Sequence, residues 1–208
     1  MTKEKQHGLW FHVLDVVFNI VVIVAIVAGI RTFLVSPFQV EGSSMVDTLE
    51  NNEYIVINKL VYFLGPPKRG DIVVFRPPND PSKYYVKRVI GLPGDTVIIK
   101  DGYVFLKVAG STKEVKLDEP YLDAQNQGKT FRHPPASGDG TEQAFPVPPN
   151  HYFMMGDNRQ GSLDSRSFTL ANGEADPYVQ RSSVKGRVWF VALPISKLHT
   201  LAQPDYHL

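Results

Sequence analysis

Apolar positions crowd the start of the chain. After a short polar tail, residues 9–30 are broken only by His12, Asp15 and Asn19, and the centre, IVVIVAIVAGI, has no polar position. As a helix, 22 residues at 1.5 Å each reach roughly 33 Å, enough to cross a hydrocarbon core. A cleavable signal peptide competes with this reading, because small residues occur at Ala25, Ala28 and Gly29. The run is longer than the usual h-region, however, and the residues just downstream look integral to the fold. A soluble core helix would hardly need so much Val and Ile. The pattern predicts a tail over 1–8, a transmembrane helix over 9–34 and an extracytoplasmic β domain over 35–208. Lys3 and Lys5 place the N-terminus inside, while Arg31 pulls the other way.

Beyond the helix the period shortens. Pro37 biases its neighbourhood toward extended backbone, so 38–40 reads as extended, and Gly42 with the following serines reads as a turn. Strand-like runs follow at 54–57 and 71–75, separated by a Gly/Pro loop over 65–70. Residues 84–90 form a further strand, stopped by Gly91-Leu92-Pro93-Gly94-Asp95. Alternation puts Tyr85, Lys87 and Val89 on one face, and Tyr84, Val86, Arg88 and Ile90 on the other. Residues 96–99 and 103–106 read as a hairpin around Asp101-Gly102. The stretch 108–150 is read as a surface excursion, partly mobile, because 123–149 is rich in Gly, Pro, Gln and Ser with few apolar anchors. Strands at 152–155 and 184–193 complete the set. No internal repeat occurs. The fold class is mainly β, with antiparallel sheets forming a barrel- or sandwich-like domain behind one membrane helix.

Composition then narrows the function. The 208 residues carry 22 Lys and Arg against 21 Asp and Glu, a net charge of +1, which argues against a nucleic-acid partner. The absence of cysteine excludes disulfides, thiolate nucleophiles and Cys-containing zinc sites. The six histidines, His7, His12, His133, His151, His199 and His207, have no metal-binding spacing, so neither metal nor cofactor is expected. No Gly-x-Ser-x-Gly elbow and no phosphate-cradling glycine loop is present. Asp157 and Asp164 resemble paired catalytic carboxylates, but Arg159 and Arg166 beside them favour structural ion pairs.

What remains is a serine in a tight turn, an amine on an apolar strand and a polar cluster at 156–166, the inventory of a Ser-Lys nucleophilic site. Lys87 either snorkels to water or is desolvated. Residue types alone favour snorkelling, since charged side chains are rarely fully buried. Desolvation would lower its pKa and leave a neutral amine able to act as a base.

Order and flanking residues make the inventory specific. Ser44-Met45 with Thr48-Leu49, Gly70-Asp71 leading into 72–75, Tyr85 with Lys87-Arg88 and the 91–95 turn, and Gly156-Asp157-Asn158-Arg159 with Ser162 and Asp164-Ser165-Arg166 resemble, in order, the conserved boxes of type I signal peptidases. The resemblance spans nearly the whole chain except 108–150. It implies Ser44 as nucleophile, a buried neutral Lys87 as general base and Ser162 as the hydroxyl orienting the amine. Asp157, Arg159, Asp164 and Arg166 would be the polar scaffold. Phe38, Val40, Met45, Leu49, Val74, Tyr85 and Val86 would wall the pockets for small residues. The implied partners are signal-peptide-bearing preproteins, cut after an Ala-x-Ala pattern, and membrane lipid.

Two positions depart from that family. Asp47 stands where proline is usual and would loosen the turn or add charge. Gly42 stands where some members have a serine that serves the oxyanion hole, leaving the Ser44 N–H as one donor and the second unassigned. Two other readings share the architecture: a protein that binds exported chains without cutting them, and a Ser-Lys protease with a private substrate.

Overall fold

The computed structural model describes residues 9–46, 48–131 and 142–206. Helix α1 (Leu9–Gly29) continues through wider turns over Ile30–Leu34. Residues Trp10–Thr32 form a segment long and apolar enough to cross a membrane, and none of its most apolar window is buried by the rest of the chain. A helix apolar on every side and uncovered by protein needs lipid or another apolar partner. Its end is fastened to the domain by Lys59, whose Nζ donates to the carbonyls of Arg31 (3.0 Å) and Thr32 (3.2 Å). The tail over 1–8 lies outside the described residues.

The chain passes without a linker into β1 (Val35–Gln39). There follow β2 (Tyr54–Asn58), the short helix α2 (Val61–Leu64), β3 (Ile72–Phe75), β4 (Tyr85–Gly91), β5 (Thr96–Lys100), β6 (Tyr103–Lys107), β7 (Glu114–Lys116), β8 (Gln143–Pro146), β9 (His151–Met155), β10 (Val179–Gln180), β11 (Val184–Leu193) and β12 (His199–Thr200). All named pairings are antiparallel. The larger sheet runs β1-β2-β11-β3-β4-β9-β10 with β12 also on β11, and the smaller runs β7-β6-β5-β8. The expected mainly antiparallel architecture is therefore present.

Three apolar clusters fill this arrangement, and strand alternation distributes residues among them. In β3, Ile72 and Val74 face one cluster with Met45, Leu49, Ile55 and Val188. Val73 and Phe75 face another with Val89, Tyr152, Met154 and Phe168. Ile90 joins the third with Phe153, Met155 and residues of the smaller sheet. Strand β4 is thus central: β3 pairs along one edge, with Val73 opposite Lys87, and β9 along the other. The sequence pattern that put Lys87 beside Tyr85 and Val89 placed it on a face that the fold covers.

The stretch 108–150 is not a detached excursion. Strands β7 and β8 flank the β5–β6 hairpin, Leu117, Leu122 and Val147 are buried, and Glu119 and Thr130 are buried beside residues of the 156–166 loop. Its apolar anchors are single residues spread along the stretch, and Glu119 and Thr130 are polar, so no periodic apolar pattern reveals them. Residues 132–141, on which much of the expected mobility falls, lie outside the described residues.

Arg159 shows how that stretch is held. Its guanidinium, fully buried, reaches both oxygens of Glu119, the Thr130 hydroxyl (2.8 Å) and the Gly156 carbonyl (3.0 Å). Removing one partner of a buried pair strands the other charge, at a cost of about 3–5 kcal/mol. Glu119→Ala should therefore lower the unfolding free energy by about that amount in chemical denaturation of the detergent-solubilised protein.

Candidate active site

Ser44 sits in the turn that follows β1. The Val46 N–H donates to Ser43 O (3.2 Å), and the Thr48 and Leu49 N–H groups donate to Met45 O (2.8 and 2.7 Å). Met45 and Leu49 anchor this turn from below, with exposures of 1% and 0%. Gly42, just before it, adopts φ +92°, a backbone state that a side chain would strain. Its N–H donates to Asn51 Oδ1 at 2.8 Å and so is already engaged. Asp47 lies outside the described residues.

Lys87 Nζ is hydrogen-bonded to Ser44 Oγ at 2.6 Å and donates to the Val86 carbonyl at 2.9 Å. The lysine is 3% exposed, so the snorkelling reading fails. The side chain is covered because it lies on a face of β4 that packs inward and the Ser44 turn closes over its end. Burial lowers the amine from its ordinary 10.5 to about 8; Asp164 and Asp157 oppose that fall, and Arg166 assists it.

Those carboxylates are occupied elsewhere. Asp157 accepts from Arg88 Nε (2.9 Å) and Nη2 (2.7 Å) and from the Thr48 hydroxyl (2.6 Å). Asp164 accepts from Arg166 Nε and Nη2, both at 2.8 Å, and from the Gly156 N–H at 2.9 Å. Burial raises the Asp164 carboxyl, and the Arg166 guanidinium outweighs it, holding the group below the usual carboxylate range. The expectation that neighbouring arginines pair with these aspartates holds for Asp164–Arg166 alone. Asp157 pairs with Arg88, and Arg159 with Glu119, because strand β4 and residue 119 present closer partners in space than in sequence.

Ser162 is buried beside the site, where its hydroxyl helps hold the Asp164 carboxyl low, and among the described residues its Oγ has no hydrogen-bond contact with Lys87. The amine's second hydrogen bond goes to the Val86 carbonyl. Gly156 explains the crowding here. A Cβ on it would overlap the Ser162 hydroxyl and the Ser44 carbonyl oxygen, so the 156–166 loop and the nucleophile turn meet only because residue 156 has no side chain.

A groove of about 570 Å³ runs past Ser44 and Lys87. Phe38, Val40, Val74, Tyr85 and Val86 line it, as the resemblance implies. Met45 and Leu49 do not; their side chains are spent in the core that supports the turn. Ile55, Tyr84 and Leu163 line it as well, and pattern alone had not singled them out. Arg88 and Asn158 were likewise visible only as motif letters. Asn158 bonds to the backbone carbonyls of Ser43 and Ser44. Among the described residues no group of three His, Asp or Glu could hold a metal ion.

Comparison with known proteins agrees with this geometry. Residues 13–193 match the family described as signal peptidase, peptidase S26. The chain is 38% identical over 198 residues to signal peptidase I P of Bacillus subtilis subsp. natto, covering 95% of this chain and 98% of that one. It is 38% identical over 205 residues to signal peptidase I of Bacillus caldolyticus, covering 95% and 97%. With signal peptidase I S of Bacillus subtilis (strain 168) the identity is 42% over 154 residues, covering 71% and 75%.

The dry lysine has a stability signature. Unfolded, its amine titrates near 10.5; folded, near 8. Between these values the unfolded chain binds more protons, so stability rises with pH by about 3 kcal/mol in all, and the full penalty is present below pH 8. Lys87→Met should remove this rise and stabilise the protein at pH 7 by on the order of 2 kcal/mol, measured by denaturant melts at pH 7 and pH 10.

Proposed function

The chain belongs to the signal peptidase family, peptidase S26, and from that premise we propose that it cleaves signal peptides from exported proteins with Ser44 as nucleophile and Lys87 as general base. One observation carries the assignment of these two residues: an amine 3% exposed, 2.6 Å from a serine hydroxyl in a groove.

The chemistry follows from the amine's charge. A neutral Lys87 has a lone pair for the Ser44 proton and an N–H to donate to the Val86 carbonyl. As Ser44 Oγ bonds to the scissile carbonyl carbon, its proton passes to Nζ, and the carbonyl oxygen becomes an oxyanion. The Ser44 N–H is the candidate donor to that oxygen. When the C–N bond breaks, the lysinium returns its proton to the leaving amine. Water then resolves the acyl-serine, with Lys87 again taking a proton. A lysine with the ordinary pKa would be almost wholly protonated at neutral pH and unable to begin.

The groove supports an extended substrate. Among the described residues strand β1 is the terminal strand of the larger sheet and pairs only with β2, which leaves its other edge for a peptide to extend the sheet. Phe38 and Val40 from β1's end, with Val74, Tyr85 and Val86, present apolar walls beside Ser44. Such walls suit small apolar side chains and the Ala-x-Ala pattern.

The N-terminal helix suits a membrane anchor with its N-terminus inside and the β domain on the far side. With only β1 between the helix end and the nucleophile turn, Ser44 would stay near the surface where a translocated chain emerges.

Detergent-purified protein should cleave an Ala-x-Ala precursor, and both Ser44→Ala and Lys87→Met should abolish cleavage. No cleavage by the unaltered chain would instead favour a binder of exported chains. Single-turnover rates should climb as pH rises through about 8, where the amine loses its proton, and level off above. A rate flat from pH 5 to 9 would remove Lys87 from the role of base.

A further inference from the structure

The Ser44 N–H can stabilise an oxyanion only if it points into the groove, and the residue that controls its direction lies on another loop. Asn158 Nδ2 donates to the Ser43 carbonyl oxygen at 3.0 Å. That carbonyl and the Ser44 N–H are the two ends of one planar trans peptide and point in opposite directions. Holding one end therefore aims the other. The backbone N–H of Asn158 donates to the Ser44 carbonyl oxygen at 3.1 Å, which pins the next peptide unit as well. One residue thus fixes both peptide planes flanking the nucleophile.

Two further observations bear on this clamp. Asn158 Oδ1 accepts from the Gly161 N–H at 3.1 Å, so the amide's oxygen is committed there and its NH₂ faces Ser43. Among the described residues the Ser44 N–H donates no hydrogen bond, nor do those of Ser43 and Met45, whereas the Val46, Thr48 and Leu49 N–H groups are engaged; of the three free ones, that of Ser44 adjoins the hydroxyl in the groove that Ser43 and Ser44 line.

We propose that Asn158 is a positioning residue for the oxyanion hole: its side chain orients the Ser43–Ser44 peptide so that the Ser44 N–H meets the oxygen of the tetrahedral intermediate. This rests on Ser44 being the nucleophile. Asn158 touches no reacting atom, and its effect is confined to the transition state, because the oxyanion needs the donor more than the ground-state carbonyl does.

The test uses the full chain in detergent with an Ala-x-Ala precursor and two variants. Asn158→Asp keeps the shape and the acceptor for Gly161 but loses the donor; Asn158→Ala removes both without adding charge. Loss of one oxyanion donor typically costs 10²–10³-fold in kcat, so misaiming it should cost about tenfold to several hundredfold. KM should stay within about threefold, and the pH inflection of Asn158→Ala should not move, since Lys87 is untouched.

A peptide aldehyde carrying the recognition sequence separates aiming from general loosening. Ser44 Oγ adds to its carbonyl carbon to give a tetrahedral hemiacetal, whereas the matching peptide amide binds without reacting. Aldehyde affinity should fall in step with kcat/KM, and amide affinity should not. Parent-like kcat in the variants, or equal losses for aldehyde and amide, would overturn the proposal. Asn158→Asp decides alone if the alanine variant does not fold. Ser44→Ala is run beside them. Cleavage surviving in it would sink the nucleophile assignment itself, whereas its loss alongside parent-like Asn158 variants sinks only the positioning role.

Discussion

An amine held against a hydroxyl, away from water, with its pKa lowered to about 8, is the constraint to which the rest of the molecule answers. Burying a lysine disfavours its ammonium, and only the absence of a carboxylate in contact keeps that penalty from being repaid. Asp157 and Asp164 both lie close enough to pull the Lys87 pKa back up. Each is instead gripped by a guanidinium, Arg88 on Asp157 and Arg166 on Asp164. The polar scaffold is thus an electrostatic shield as much as a support. Adjacent residues on one strand meet opposite fates: among the described residues Lys87 is buried without an ion pair and loses its proton more readily, while Arg88 is buried with one and stays charged.

The same groups do mechanical work. Asp157 accepts from Thr48 at the far side of the nucleophile turn, Asn158 holds the near side, and Gly156 lets the two loops touch. Arg159, the next residue, is secured by Glu119 and Thr130 from the stretch 108–131. A region that looks like decoration along the chain therefore braces the loop that braces the Ser44 turn. The brace is built from buried charges, which are costly to disturb singly, and this makes the geometry of the site depend on residues far from it in sequence.

The membrane helix and the sheet divide the labour differently. The helix contributes no side chain to the groove; it fixes where the groove is. Lys59 ties its last carbonyls to the end of β2, and β1 leads straight from its end to the nucleophile turn.

Much of this was written in the order of residues. The apolar run of α1, the period-two strands β2 to β6, and the spacing of Ser44, Lys87 and the 156–166 cluster are local or ordinal properties, and the amino-acid pattern alone determined them. It placed Lys87 with Tyr85 and Val89 but left open whether that face is wet, because alternation says which residues share a side and not what covers it. Tertiary structure decided the burial of Lys87, the exchange of partners that joins Asp157 to Arg88 and Arg159 to Glu119, and the withdrawal of Met45 and Leu49 into the core. Each depends on contacts between segments tens of residues apart. A pKa, an ion pair and a pocket wall are properties of what surrounds a side chain, and those surroundings exist only once the chain has closed on itself.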